Sequence, residues 1–206
     1  TLKGTREEVL VLLDREGFRA SASDIVPVSI HAEKGNFGQT EAFQQGYLSI
    51  QDESSMLPVV ALDPQPNETV LDVCAAPGGK TAFIAEKMND TGKIYAHDIY
   101  DHKIATIRDQ ATRLGIHSID VSLQDGRQLS ERYEERTFDR ILIDAPCSGF
   151  GVIRRKPEIK YERDEQSIQQ LAHLQWQIVQ SAIPLLKEGG RLVYSTCTID
   201  RLENDK

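Results

Sequence analysis

Two cysteines lie fifty positions apart, in the runs Asp144-Ala145-Pro146-Cys147-Ser148-Gly149 and Ser195-Thr196-Cys197-Thr198. Each follows an apolar stretch that reads as a β-strand, Phe138–Asp144 (FDRILID) and Arg191–Thr196 (RLVYST). If these strands are parallel neighbours, one cleft receives both thiols. A free cysteine is ordinarily a small core residue. At the carboxyl end of a strand, beside hydroxyl and turn residues, a thiolate is instead a candidate nucleophile. The third cysteine, Cys74, ends the run Thr69–Cys74 (TVLDVC) and reads as structural, facing a ligand only through its backbone.

That run leads into Cys74-Ala75-Ala76-Pro77-Gly78-Gly79-Lys80-Thr81. Small residues let a ligand approach the backbone, and the helix that follows offers free N–H groups. Two ligands compete for the loop. Gly79, Lys80 and Thr81 match the end of a phosphate-binding loop, and Asp144 after Ile141-Leu142-Ile143 could serve as the metal-binding acid of a nucleotide hydrolase. Against this, Cys74 stands where that pattern has its first glycine, and Pro77 removes one N–H donor. The second ligand is a nucleoside held through ribose and base, which needs an acid at the end of the next strand. Asp98, nineteen residues after Gly79, meets that need. Asp125, in Gln124-Asp125-Gly126, could meet an exocyclic amine, although an aspartate before glycine is also an ordinary turn. Downstream, Arg154, Arg155, Lys156 and Lys160 make the one dense basic patch, suited to phosphate contacts. The histidines are scattered without ligand spacing, so no metal is expected.

These residues must be carried by an α/β framework. Strands are expected at Thr69–Cys74, Lys93–His97, Ile119–Leu123, Phe138–Asp144 and Arg191–Thr196. Helices are expected over 52–62 (bent at Pro58), Gly79–Met88, Asp101–Leu114 and Asp164–Leu186, with a turn at Glu188-Gly189-Gly190. Alternation of this kind implies a doubly wound, mostly parallel sheet covered on both faces, with ligands beyond the carboxyl ends of its strands. Residues 1–45 form a separate segment. It begins with a capping box, Thr5-Arg6-Glu7-Glu8, and a helix that stops at Gly17, then carries short strands too few to make a core alone.

Composition sets the outer limits. The chain has 206 residues, 39% of them apolar, and a net charge of −8. That suits one domain and part of a second, and it excludes a broadly basic nucleic-acid coat. No apolar run is long enough to cross a membrane, and three unpaired cysteines fit a reducing cytoplasm rather than a disulfide scaffold. The start at Thr1 suggests an excised or processed chain, and the stop soon after the last strand suggests a truncated sheet.

Taken together, the residues resemble the RNA cytosine-5 methyltransferase family of the Sun/Fmu and nucleolar-protein type. The resemblance runs from about Gly46 to Asp205 and includes Gln51-Asp52-Glu53-Ser54-Ser55, Cys74–Lys80, Asp98, Asp125-Gly126, Asp144–Gly149, Val152-Ile153-Arg154-Arg155 and Tyr194–Thr198. The glycine loop is a weak signal, and the two cysteine motifs together are a strong one. The resemblance implies a Rossmann-like S-adenosylmethionine-dependent methyltransferase domain over 46–206. Over 1–45 it implies a partial α+β RNA-binding domain. It implies that Cys74, Ala75, Ala76, Pro77, Gly78, Gly79, Lys80, Asp98, Asp125 and Asp144 bind the cofactor or lie beside it. Cys197 would be the nucleophile and Cys147 would aid product release. Asp144 would bond the cytosine edge, and Lys80 would either lower the thiol pKa or contact RNA. RNA, ribosomal by this likeness, is the expected partner of a monomeric chain. A nucleotide hydrolase and a non-catalytic RNA-binding module are the competing readings.

Overall fold

The structure is a computed structural model that describes residues 2–155, 157–159 and 164–205. The aliphatic runs pair as a five-stranded sheet of β3 (Thr69–Asp72), β4 (Lys93–Asp98), β5 (Ile119–Leu123), β6 (Phe138–Asp144) and β7 (Leu186–Ser195). The spatial order is β5-β4-β3-β6-β7, and every neighbouring pair is parallel. β3 comes first in sequence and lies in the middle. The chain winds outward through β4 and β5, then returns across β3 to β6 and β7. The order therefore reverses between β3 and β6, and a crevice opens at their carboxyl ends.

Strand residues alternate between two cores. Val70, Ile94 and Leu142 pack on one face under α3 (Glu53–Leu62) and α4 (Gly79–Lys87), with Leu114 from α5 (Asp101–Leu114). Leu71, Val73, Ile141 and Ile143 pack on the other with Ile178 and Ala182 of α6 (Glu165–Ala182). Burial on both faces is why the central strands β3 and β6 carry continuous apolar stretches. Among the described residues no helix is long and apolar enough to cross a membrane.

Three boundaries differ from the sequence expectation by two residues or more. β3 stops at Asp72, although Val73 N–H still donates to Leu142 O (3.0 Å) and Ala75 N–H to His97 O (2.8 Å). The helix expected to reach Leu186 ends at Ala182, and Ile183–Leu185 tightens into a 3₁₀ turn around Pro184, which has no N–H to continue an α-helix. β7 begins at Leu186 and absorbs Glu188-Gly189-Gly190, which was expected as a turn. Its pairing with β6 slips between Phe138 and Arg140, and Gly189 takes φ +77°. The extra glycines are accommodated as an irregularity inside the strand. Pro58 lies inside α3, which runs through it.

The N-terminal segment comprises α1 (Arg6–Arg15), the antiparallel pair β1 (Ala20–Ala22) and β2 (Ile30–Ala32), and a short α2 (Glu41–Gln44). The capping box forms as expected: Glu8 N–H donates to Thr5 Oγ1 (3.2 Å) and Thr5 N–H to Glu8 Oε2 (2.8 Å). The short strands do not make a core alone, and α1 completes a small one with them. Val9, Leu13 and Ala42 are buried together against Phe18, Ile30, Phe37 and Leu48. Because α1 supplies two of the three buried residues, the strands need not form a core by themselves. Arg113 of α5 ties the segment to the sheet domain, donating to Phe43 O (2.6 Å) and Leu48 O (2.9 Å). Glu53 accepts from Ser23 and Ser29, which holds its carboxyl below the usual range.

Two buried titratable groups of the central strands oppose each other in acid. Burial pushes Asp72 up to about 7, against the Thr81 hydroxyl that donates to it at 2.7 Å. Burial pushes His97 down to about 4, although its ring bonds Tyr133 Oη (2.7 Å) and Ser122 Oγ (2.9 Å). Asp72 stabilises the fold when protonated, and that contribution is lost as pH rises from about 4 through 7. His97 stabilises it when neutral, and that contribution is lost as pH falls from 6.5 toward 4. Above pH 6.5 only Asp72 acts. Asp72→Asn is therefore expected to be more stable than the parent at pH 8 by on the order of 3 kcal/mol, with the gain shrinking toward pH 4.5. Urea unfolding at both pH values checks this, and a gain independent of pH would contradict it.

Candidate functional site

The parallel register sets Asp144 opposite Ser195, so the last side chains of β6 and β7 meet. Asp144 Oδ1 accepts from Ser195 Oγ (2.8 Å), and Oδ2 accepts from Lys80 Nζ (2.6 Å) at the start of α4. Just beyond, Cys147 Sγ and Cys197 Sγ lie 3.3 Å apart, and Cys197 N–H donates to Cys147 Sγ at 3.3 Å. The thiols expected to share one cleft do so, with Cys197 exposed and Cys147 half-buried. Gly151 N–H donates to Cys197 O (2.9 Å), and a Cβ on Gly151 would fall 2.8 Å from that carbonyl. Only glycine allows the two loops to approach this closely.

The sulfurs divide one proton unequally. A hydrogen bond from the Cys147 thiol lowers Cys197 to about 7, helped by Lys80 and opposed by burial and by Asp144. The same hydrogen bond, together with burial, pushes Cys147 well above the ordinary thiol range. When the pair gives up its first proton, the charge is therefore favoured on Cys197 and the remaining proton on Cys147. Burial also pushes Cys74 far up, which fits the structural role expected of it.

A residue that sequence reading missed joins the two loops. Glu203 is buried (3% exposed), and its Oε2 accepts from Ser148 N–H (2.9 Å) and Gln175 Nε2 (2.8 Å). Gln175, on α6, also donates to Pro146 O (2.8 Å), and Ser148 Oγ and Thr198 Oγ1 are 2.7 Å apart. Nothing in the polar run Arg201-Leu202-Glu203-Asn204-Asp205 distinguishes Glu203 from a solvated acid. Its role arises only from the third dimension.

The glycine loop occupies the β3 side of the crevice. Gly78 takes φ +101° with Ile107 of α5 close behind it, a conformation that L side chains avoid. Ala76 N–H donates to Asp98 Oδ2 (3.4 Å), and Lys103 Nζ approaches Asp98 at 3.5 Å. A pocket of about 150 Å³ is lined by Gln51, Asp72, Ala75, Pro77, Lys80 and Asp144, among others. Asp72 Oδ1 is buried at this end of β3 without a hydrogen-bond partner. The volume suits one end of an elongated ligand, whose remainder would lie over the open strand ends near Asp98. Carboxylates around a loop of small residues fit a cationic nucleoside better than a triphosphate. A larger cavity, about 780 Å³, lies between the N-terminal segment and α3 and contains neither thiol nor Asp144.

Two expected groups are engaged elsewhere. Asp125 caps the 3₁₀ turn Gly126–Glu131 and is gripped by Arg127, with Nη2–Oδ2 2.6 Å. Arg155 pairs with Asp52, so its charge is compensated locally, whereas Arg154 is exposed. Lys156 and Lys160 lie outside the described residues.

Comparison with known proteins agrees with this geometry. Residues 59–206 match the family model of the 16S rRNA methyltransferase RsmB/F. The chain is 48% identical over its whole length to a probable ribosomal RNA small subunit methyltransferase B of Bacillus subtilis, covering 46% of it. It is 40% identical to a 28S rRNA (cytosine-C(5))-methyltransferase of Mus musculus, covering 26% of that protein. A crystal structure of a methyltransferase homolog from Pyrococcus horikoshii superposes with a TM-score of 0.86 at 34% identity, over 99% of this chain and 64% of that one. The chain spans about half the length, or less, of these curated relatives. The nucleotide-hydrolase alternative is set aside, and the chain belongs to the RsmB/F family of S-adenosylmethionine-dependent methyltransferases.

Proposed function

We propose that the chain forms the catalytic unit that methylates carbon 5 of a cytosine in ribosomal RNA through a covalent Cys197–cytosine adduct. The observation that carries this reading is the pair of thiols 3.3 Å apart beside the Lys80–Asp144 pair. Carbon 5 of cytosine is a poor nucleophile. The Cys197 thiolate adds to ring carbon 6, and the electron pair displaced from the C5–C6 double bond makes carbon 5 reactive. S-adenosylmethionine, when bound, supplies the methyl group. Cys74–Lys80, Asp98 and Asp144 would hold it, and Asp125 would join them if it releases Arg127.

Asp144 is fixed by Ser195 and Lys80, which suits it to hydrogen-bond the cytosine edge and stabilise the adduct. Release requires a base to take the proton from carbon 5 while the C6–S bond breaks and the electrons return to Cys197. Once Cys197 is bound to carbon it no longer accepts the Cys147 proton. Cys147 can then lose that proton to solvent, take the one from carbon 5, and return to its original state. The net reaction exchanges one methyl group for one proton. The target base must be unpaired or flipped out to reach the thiol. We assign phosphate contacts to Arg154, Arg155, Lys156 and Lys160, and RNA binding to residues 1–45. The reading further takes the chain as a cytoplasmic monomer.

Cys197→Ser is expected to abolish methyl transfer to unmodified ribosomal RNA. Cys147→Ser is expected to accumulate a protein–RNA adduct that survives denaturing gels. Cofactor binding without any adduct in the Cys147→Ser variant would favour the non-catalytic RNA-binding module. Alkylation of Cys197 by iodoacetamide, followed by peptide mass spectrometry, is expected to rise with a midpoint near pH 7 in the parent. In Cys147→Ala the midpoint should move up by about a unit or more, because the hydrogen bond to the thiolate is gone. An unchanged midpoint would remove Cys147 as the source of the activation.

A further inference from the structure

We propose that Glu203 is a positioning residue that holds the Cys147 loop at bonding distance from Cys197. The inference rests on the assignment of Cys197 as nucleophile made above. The Cys147 loop, Ala145–Gly149, has left the sheet, and so has the turn that carries Cys197. Strand pairing ends with Ala145 N–H donating to Ser195 O (2.8 Å). Beyond that point Gly151 N–H to Cys197 O (2.9 Å) and the Ser148–Thr198 hydroxyl pair (2.7 Å) join the two loops, and Cys147 needs a further tie that fixes the backbone on both its sides.

Glu203 provides it. Its carboxylate receives the N–H of Ser148, the residue next to Cys147, and the amide of Gln175, which also holds Pro146 on the other side of Cys147. The backbone carbonyl of Glu203 accepts from Tyr194 Oη at 3.0 Å, anchoring it to β7. Cys147 is thus bracketed by two neighbours, Pro146 and Ser148, that both lead to one buried carboxylate and one α6 glutamine. Both N–H donors reach Oε2, while Oε1 is buried without a partner, a cost that an apolar side chain would avoid. Two N–H donors converging on one oxygen suit a part that must fix a sulfur position to within a few tenths of an ångström.

The test reads the Cys147–Cys197 hydrogen bond directly through the pH profile of Cys197 alkylation in the whole chain. The other charged groups facing Cys197, Asp144 and Lys80, are the same in every variant. Glu203→Ala is expected to raise the midpoint by about one pH unit. Glu203→Gln, which keeps an acceptor for both N–H groups, is expected to restore most of the parent profile. In a Cys147→Ala background Glu203→Ala should add nothing, since the carboxylate acts through Cys147. If Glu203→Ala does not fold, Gln175→Leu cuts the same bracket from the α6 side and should give the same shift. A folded variant with the parent profile, or a shift that persists without Cys147, would overturn the proposal. No RNA or cofactor enters this measurement. A chain that showed the shift but never methylated RNA would lose the reading above and keep this one.

Discussion

The site depends on one hydrogen bond between two sulfurs. A surface thiol with an ordinary pKa is mostly protonated at neutral pH and reacts slowly. The Cys147 thiol, placed 3.3 Å from Cys197, supplies a proton donor that favours the thiolate of Cys197 and penalises its own ionisation. In the singly ionised pair the hydrogen bond between the sulfurs is the largest cause of the asymmetry, and the burial of Cys147 adds to it. Neither sulfur would have this character alone. The rest of the fold can be understood as the apparatus that brings two loops, fifty residues apart in sequence, to this distance.

Topology does most of that work. Because β6 and β7 are parallel neighbours in register, their carboxyl ends emerge at the same level, with Asp144 opposite Ser195. Because β3 lies on the other side of β6, the glycine loop and Lys80 emerge there too. Ligand loop, carboxylate and thiols are thus gathered from three strands without any long-range loop excursion. Helix α6, between β6 and β7, then serves twice: it covers one face of the sheet and sends Gln175 back to the Cys147 loop.

Much of this was legible before the fold was known, and the reasons are local. β6, buried on both faces, writes itself as an apolar run, and the edge strand β5 as the alternation Ile-Asp-Val-Ser-Leu, so both were bounded to the residue, as was α5 with Gly115 after it. Thr5-Arg6-Glu7-Glu8 named its own helix start. The thiols, Asp144, Asp98 and Lys80 were legible because ends of parallel strands share one edge, and polar residues at those ends stand out against apolar runs. What was illegible depended on distant partners. The glycine pair at 189–190 reads locally as a turn, and only the neighbouring β6 keeps it in a strand. Asp125 reads either as a ligand carboxylate or as a turn aspartate before glycine; the turn forms, and only the orientation of the Arg127 side chain shows the carboxylate occupied. Glu203 and Gln175 carry no local signal, since their value lies in donors and acceptors more than twenty-five residues away.

The carboxylates raise a further physical question: how an edge lined with acids can hold a thiolate and still admit a polyanion. The structure resolves it by pairing within the chain. Asp144 is matched by Lys80, Asp98 by Lys103 and Asp125 by Arg127, each cation coming from the element that adjoins the strand end. Asp72 has no such partner among the described residues, and its burial raises it to about 7 instead, so near neutrality it carries only part of a charge. The edge is thus acidic in composition, with three of its carboxylates each facing a cation of the same chain. Lys80 matters most in this respect, because Asp144 left alone would raise Cys197 and repel the backbone of an incoming strand. Pairing Asp144 with a cation lets one residue serve as a hydrogen-bonding group while the charge it sets against the nucleophile beside it is partly offset.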